Sequence, residues 1–360
     1  MFRQMNESAF AATKRRALLQ LPFSLMRDGC LACRLLNATW MMYAVAMLSC
    51  LFCVVPADAV DKDLVSRIRV DNYAPQSNSF PGCTHIAFGG KTELVTVGNR
   101  LFFRADSKSP FREAAIKGLI DAHSVVFNPH DQLFHATDTG NHRLVTFRDP
   151  ASSELQSSVT SLAGVRLKRP HDIVLDRSTG WLYSLNPDNS VVFRFKAAGD
   201  DADSLNLSQH LGYSRALSVV SGRLYVIGSS AGCVVEVVDF DEREYRIHRS
   251  FGKKKDAVAG SWQSTGLVLN DVDFFKDYWY ATSYFCPAYA GKQNCDENKF
   301  IRFRTWQDLK EGLWDDLSSF LPGNVVPYYL TPREDSLFIA VFNHEAPGTS
   351  DKVLRLTISE

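Results

Sequence analysis

The stretch Ala122–Asp149, AHSVVFNPHDQLFHATDTGNHRLVTFRD, decides how the rest of the chain is read, because it holds one complete cycle of strands and turns. Ser124, Val125, Val126 and Phe127 open an apolar strand. Asn128-Pro129-His130-Asp131 follows as a polar turn, with proline where no ladder N–H is needed. A second strand runs from Gln132 to Thr137. Asp138-Thr139-Gly140-Asn141 supplies the next turn, in which Gly and Asn tolerate positive φ, and Leu144 and Thr146 alternate through a third strand.

Outward from this stretch the cycle recurs in weaker form. The units are Thr84–Arg104, the opening stretch, His171–Lys196, Arg215–Phe240, Asn270–Arg304 and Tyr328–Ile358. Leu94, Leu133, Leu182, Leu224, Trp279 and Leu337 anchor their second strands, at spacings of 39, 49, 42, 55 and 58 residues. Six such cycles predict an all-β fold, a six-bladed β-propeller. Val65–Asn72 is a short alternating strand that would close the last blade from the N-terminal side. The insertion Gln307–Leu321 carries Leu309, Leu313, Leu317, Phe320 and Leu321 on one helical face. With Thr305 as cap and Pro322-Gly323 as stop, it predicts one short helix between blades five and six. The segment ATDTGNHRLVTF, residues 136–147, resembles the core of an NHL repeat, the module of many six-bladed propellers. That resemblance covers one blade well and the others in outline.

The chain has 360 residues, 45% hydrophobic and 22% charged, which suffices for a large core. Forty basic and forty acidic residues cancel; up to Ala59 there are six and three, leaving 34 against 37 in the body. A near-neutral body whose longest basic run is Lys253–Lys255 gives no nucleic-acid partner. No G-x-S-x-G elbow and no Walker or dinucleotide glycine motif occurs, and Gly89-Gly90 sits between two strands and precedes no helix, so no nucleotide cofactor is expected.

Residues 1–59 are expected to be a targeting segment and residues 60–360 the propeller. Ala38–Val55 has no charge, follows Lys14, Arg15, Arg16, Arg27 and Arg34, and runs into Ala57-x-Ala59, a signal-peptidase pattern with cleavage before Val60. The product would be secreted, periplasmic or in the lumen of a secretory pathway. The alternative is an uncleaved, membrane-anchored form with its basic flank in the cytoplasm. Cys30, Cys33, Cys50 and Cys53 have zinc-like spacing, but the second pair lies inside the apolar run, which argues against a metal there. Cys286 and Cys295 bracket a polar loop and are expected to form a disulfide, whereas Cys83 and Cys233 fall in different blades. Asn206-Leu207-Ser208 is a glycosylation sequon.

A propeller hosts many functions, so the informative residues are those at the entrance of each inner strand, where the six blades converge. Aligning the blades on Phe127, Leu175, Val219 and Phe274 places His123, His171, Arg215 and Asn270 at one equivalent position. Blade one contributes Thr84 or His85 and blade six Pro327 or Tyr328; Asp172 and Asp271 follow two of the ring residues. Imidazoles of His85, His123 and His171 could hold a divalent metal, zinc first, with an open position for water. Arg215 suits a carboxylate or phosphate, with Asn270 and Asp271 completing the ligand contacts. His123, Arg215 and Tyr328 are the candidate catalytic groups, His123 or Tyr328 as acid or base. His130, His135 and His142 read as turn or packing residues, and His344-Glu345 as part of a loop.

This layout resembles the amidating lyases and other six-bladed propeller enzymes with an axial metal among histidines, whose Pro-His is matched here by Pro170-His171. The resemblance implies a metal-dependent lyase or hydrolase acting on a small anionic or glycan-like ligand at the central axis. The Glu, Asn, Asn and Asp set of the calcium-dependent lactonases is not seen at these entrances. The alternative from another class is a non-catalytic scaffold that binds a protein or glycan through rim loops, best at Tyr284–Tyr289.

Overall fold

The computed structural model describes residues 65–74, 80–197, 201–250, 267–283, 298–323, 325–343 and 351–359. Both faces of most second strands are apolar, as in Tyr278–Ser283, where all six residues are buried. Such a strand has to be covered on both sides, and in this chain the covering layers are further sheets of the same kind. Six four-stranded antiparallel sheets result, five of them running outward in chain order from an inner strand. The inner strands are Cys83–Gly89, Val125–Asn128, Ile173–Asp176, Ser214–Val220, Leu269–Phe275 and Val326–Arg333. Each touches the next and the last touches the first, so the ring closes. In the sixth blade Ile68–Asn72 pairs with Lys352–Ile358, so sequence-distant ends form one sheet. Six hydrophobic clusters lie at the interfaces between blades; one joins Ala87 and Leu94 of blade one to Val125 and Phe134 of blade two. Each large apolar side chain buried there contributes about 1.5–3 kcal/mol.

An inner strand is a sheet edge, and its unpaired backbone groups face the axis, where each needs a partner. Side chains supply these partners in an alternating pattern. In blades one, three and five an acceptor takes an N–H of the following blade. His85 Nδ1 accepts from Val125 (3.2 Å), Asp172 Oδ2 from Leu217 (2.7 Å) and Asp271 Oδ2 from Leu330 (2.8 Å). In blades two, four and six a hydroxyl donates onward to a carbonyl. Ser124 reaches Ile173 (3.4 Å), Thr331 reaches Ile86 (3.0 Å), and Ser218 reaches Val272. A threefold alternation is thus written into a sixfold ring.

The insertion after blade five's third strand differs from the expected helix. Helix Trp306–Glu311 is closed by a capping box between Thr305 and Asp308 and ends at Gly312, whose φ of 79° is left-handed. Asp315–Asp316 then forms the fourth strand of blade five against Ile301 and Arg302, so the helix lies within that blade and not between blades five and six. Leu309 and Leu317 are buried as expected, but the chain reversal at Gly312 leaves Leu313 51% exposed. The turn after Asp138 also departs from expectation. Its left-handed residue is His142 (φ 58°), and Gly140 is required because a Cβ there would lie 2.3 Å from the Ile120 side chain.

Cys83 and Cys233 are buried in blades one and four, and no bridge joins them. The targeting segment, Lys253–Lys255, Tyr284–Tyr289, the Cys286–Cys295 pair and His344-Glu345 lie outside the described residues.

Candidate functional site

At the upper end of the axis, where the inner strands begin, the connections between blades deliver His123 and His171, and the start of strand Ser214–Val220 delivers Arg215. His123 follows a tight turn in which Asp121 adopts φ 56° and donates its N–H to Asn99 Oδ1 at 2.8 Å. His123 Nδ1 lies 2.9 Å from the Asp121 carbonyl, which can only accept, so the proton sits on Nδ1 and Nε2 keeps its lone pair. His171 follows Pro170 and a left-handed Arg169 (φ 51°), whose N–H is received by His142 Nδ1 at 3.0 Å. The repeat's own histidine therefore secures the loop that presents His171.

The His171 tautomer follows from its partners. Nδ1 lies 3.0 Å from the Arg215 carbonyl and 2.8 Å from the Tyr329 hydroxyl. That hydroxyl has carbonyls of Arg215 (3.0 Å) and His171 (3.2 Å) to receive its own hydrogen, so its oxygen is left to accept from Nδ1–H. Nε2 is then the unprotonated end, 3.5 Å from the Tyr328 hydroxyl, which in turn accepts from Arg215 Nη1 at 3.2 Å. The rings of His123 and His171 are 4.1 Å apart, and Tyr328 lies 6.2 and 6.4 Å from them. The Arg215 guanidinium also covers Tyr213, 5.1 Å from its ring centre.

Burial holds His171 well below the ordinary imidazole range, reinforced by the charges of His123 and Arg215. His123 is lowered by burial too, with Asp121 pulling the other way. Burial pushes the Tyr328 hydroxyl up, against Arg215. At neutral pH the cluster is therefore one guanidinium, one protonated phenol and two neutral imidazoles with bare Nε2 atoms. His171, Arg215 and Tyr328 are buried, while the His123 side chain retains 13% exposure and Tyr213 is half-buried.

The other expected site residues lie elsewhere. His85 uses both nitrogens between blades, Nδ1 on Val125 N–H and Nε2 on Thr331 Oγ1 (3.2 Å), and burial pushes it down to about 4. Asn270 donates to the Pro327 carbonyl at 2.7 Å, and Asp271 binds Val272 and Leu330 N–H groups; both are fully enclosed. Among the described residues no three His, Cys, Asp or Glu side chains converge to hold a metal ion. With His85 engaged and a guanidinium beside the remaining two imidazoles, the residues do not fit the expected three-histidine zinc centre. His130 and His135 serve the lower turn of blade two, His130 near the Arg177 carbonyl (3.3 Å) and His135 on Asp131 (2.8 Å).

Tyr329 and Tyr213 were not anticipated from the sequence. Tyr328 and Tyr329 enter together because the register slips between Pro327 and Leu330, a bulge that sets two residues against one and re-aims both rings.

No protein-family model and no curated protein matches the chain. Solved structures do. A gluconolactonase from Xanthomonas campestris is similar at a TM-score of 0.55 and 14% identity, over 83% of this chain and 93% of that one. Virginiamycin B lyase from Staphylococcus aureus, solved with quinupristin, is similar at 0.54 and 10% identity, over 81% and 100%. A putative gluconolactonase gives 0.55 and 13%, over 81% and 92%. The likeness is one of fold. It places the chain among propellers built like these enzymes.

Proposed function

We propose that this protein binds a small anionic or glycan-like ligand at the upper end of its axis and acts on it by proton transfer, as a lyase or hydrolase. The observation that carries the reading is the contact of two neutral imidazoles, both with bare Nε2 atoms, beside a tyrosine hydroxyl bonded to Arg215. The guanidinium attracts a carboxylate or phosphate into a site of low dielectric, where charge-assisted hydrogen bonds are strong. His123 Nε2, on the least buried side chain of the cluster, takes a proton from the bound molecule. Tyr328, polarised by Arg215, returns one to the leaving group; positioned acid and base groups of this kind contribute about 10²–10⁴-fold. A lyase and gluconolactonases stand among the similar structures, which agrees with an enzyme of this kind. The reading includes an NHL-type repeat and export through the 1–59 segment.

The test is a thermal-shift and calorimetric titration of the full-length chain with acetate, inorganic phosphate, glucuronate and, as neutral control, glucose. The anions, glucuronate most, are expected to raise the melting temperature, and Arg215→Ala and His123→Ala to remove the response. If no anion shifts the melting point, or Arg215→Ala responds like the wild type, the axial ligand site is wrong.

A further inference from the structure

The opposite, lower face of the propeller carries a groove that the axial cluster does not use. It has two lobes of about 410 and 610 Å³ that share Phe88, Gly90, Phe127 and Arg177. Each lies within the ~300–1,000 Å³ typical of small-molecule sites. Its floor is the Gly89-Gly90 turn of blade one. A Cβ on Gly89 would come within 2.6 Å of both Phe127 and Phe134, so only glycine lets those rings of blade two close over the turn. Gly90 takes φ 61°, which completes the reversal without a side chain. The result is an aromatic wall packed on Gly89, with Gly90 as exposed backbone beside it.

The rim is cationic. Arg177 comes from the turn after blade three's inner strand, Arg148 from the end of blade two's third strand and Arg333 from the end of blade six's inner strand. Arg148 and Arg177 are exposed, and among the described residues neither guanidinium has a hydrogen-bond or ion-pair partner. Arg333 lies 4.3 Å over the Phe88 ring, and its one carboxylate neighbour, Glu334 at 3.5 Å, is itself 79% exposed. Among the described residues three guanidiniums thus face one solvated carboxylate beside the half-buried Phe127 ring. Phenyl faces take a flat apolar ring, and guanidiniums take carboxylate or phosphate oxygens in pairs.

We propose that this groove is a second binding site, for a small molecule joining a planar aromatic ring to a carboxylate or phosphate. The ring lies against Phe127, and the anion is held between Arg177 and Arg333, which stacks on Phe88, with Arg148 serving the larger lobe. The site is independent of the axial cluster.

The experiment is calorimetric titration of the full-length chain with phenyl phosphate, benzoate, phenol and inorganic phosphate. Phenyl phosphate or benzoate is expected to bind saturably, with phenol and phosphate at least about tenfold weaker, because each supplies only half of the contacts. The Arg177→Ala/Arg333→Ala variant, altered only at surface side chains, is expected to weaken the aromatic anion by about tenfold or more. The His123→Ala/Arg215→Ala variant is expected to retain this binding, which separates it from any axial event. Wild-type affinity in Arg177→Ala/Arg333→Ala, inorganic phosphate binding as well as phenyl phosphate, or loss confined to His123→Ala/Arg215→Ala would each overturn the proposal.

Discussion

Two layers of the same inner strands, one residue apart, have opposite characters. His171 and Asp172 are neighbours, yet His171 belongs to the cluster with His123, Arg215 and Tyr328, whereas Asp172 is bonded to two backbone N–H groups, of Ile173 and Leu217. The lower layer has its alternation in all six blades; the upper layer has it only in blades one, three and five, where Thr84, His171 and Asn270 each donate to a carbonyl of the next blade, of His123, Arg215 and Pro327. The repeated bonds are structural, because every inner strand has the same unpaired edge to satisfy. The upper side chains that this pattern does not use, His123, Arg215 and Tyr328 of blades two, four and six, are the ones left for chemistry.

The largest expected effect that could break this contrast is at Asp271. Asp271→Ala orphans the N–H groups of Val272 and Leu330 in a dry site, at a cost of roughly 2–4 kcal/mol in denaturant unfolding. A loss below about 1 kcal/mol would mean that the ring is not held by these bonds.

Acid should act next. His85 is pushed down to about 4 from 6.5, so between those pH values the unfolded chain binds a proton that the native state refuses, and stability falls as pH falls through the window. The contribution is at most roughly 3 kcal/mol, less for the ring's partial exposure. The buried acids work in the opposite direction. Asp172 and Asp273 are raised to about 6 and about 8 by burial, so each contributes stability at low pH that is lost as pH rises through those values. The wild type's unfolding free energy relative to that of His85→Gln should therefore increase from pH 4 to 7, whatever the net slope set by the acids; parallel curves would contradict the assignment.

Smaller effects sharpen the contrast. Ser218→Ala leaves the Val272 carbonyl without its hydroxyl and should cost about 1 kcal/mol by the same measurement. His123→Ala, in the upper layer, should change stability by no more than about 0.5 kcal/mol while removing the thermal response to glucuronate. A stability loss equal to that of Ser218→Ala would place His123 among the structural groups.

The propeller was legible in the sequence because blade interfaces demand apolar second strands: five of the six anchors, from Leu94 to Leu337, are buried, and Leu133, at its strand's start, is the partly covered exception. Aligning the entrances also brought His123, His171 and Arg215 together correctly. What the alignment missed follows from edge chemistry. His85, Asn270 and Asp271 have the residue types of a ligand site, but sequence does not show that an inner-strand N–H or carbonyl has first claim on them. Tyr329 was hidden because a bulge breaks the period of two on which strand reading depends. The sequence puts the helix stop at Pro322-Gly323, whereas Gly312 ends the helix and separates Leu313 from the buried face that a continuous helix would give.

The most direct measurement of the central claim is a nitrogen-15 NMR titration of the histidine side chains, with and without glucuronate. The account predicts His123 and His171 as neutral Nδ1–H tautomers that do not protonate near pH 6.5, with Nε2 signals that move on adding glucuronate while those of His85 stay in place. Ordinary titration of His171 near 6.5, or a ligand response at His85 and none at His123 and His171, would contradict it.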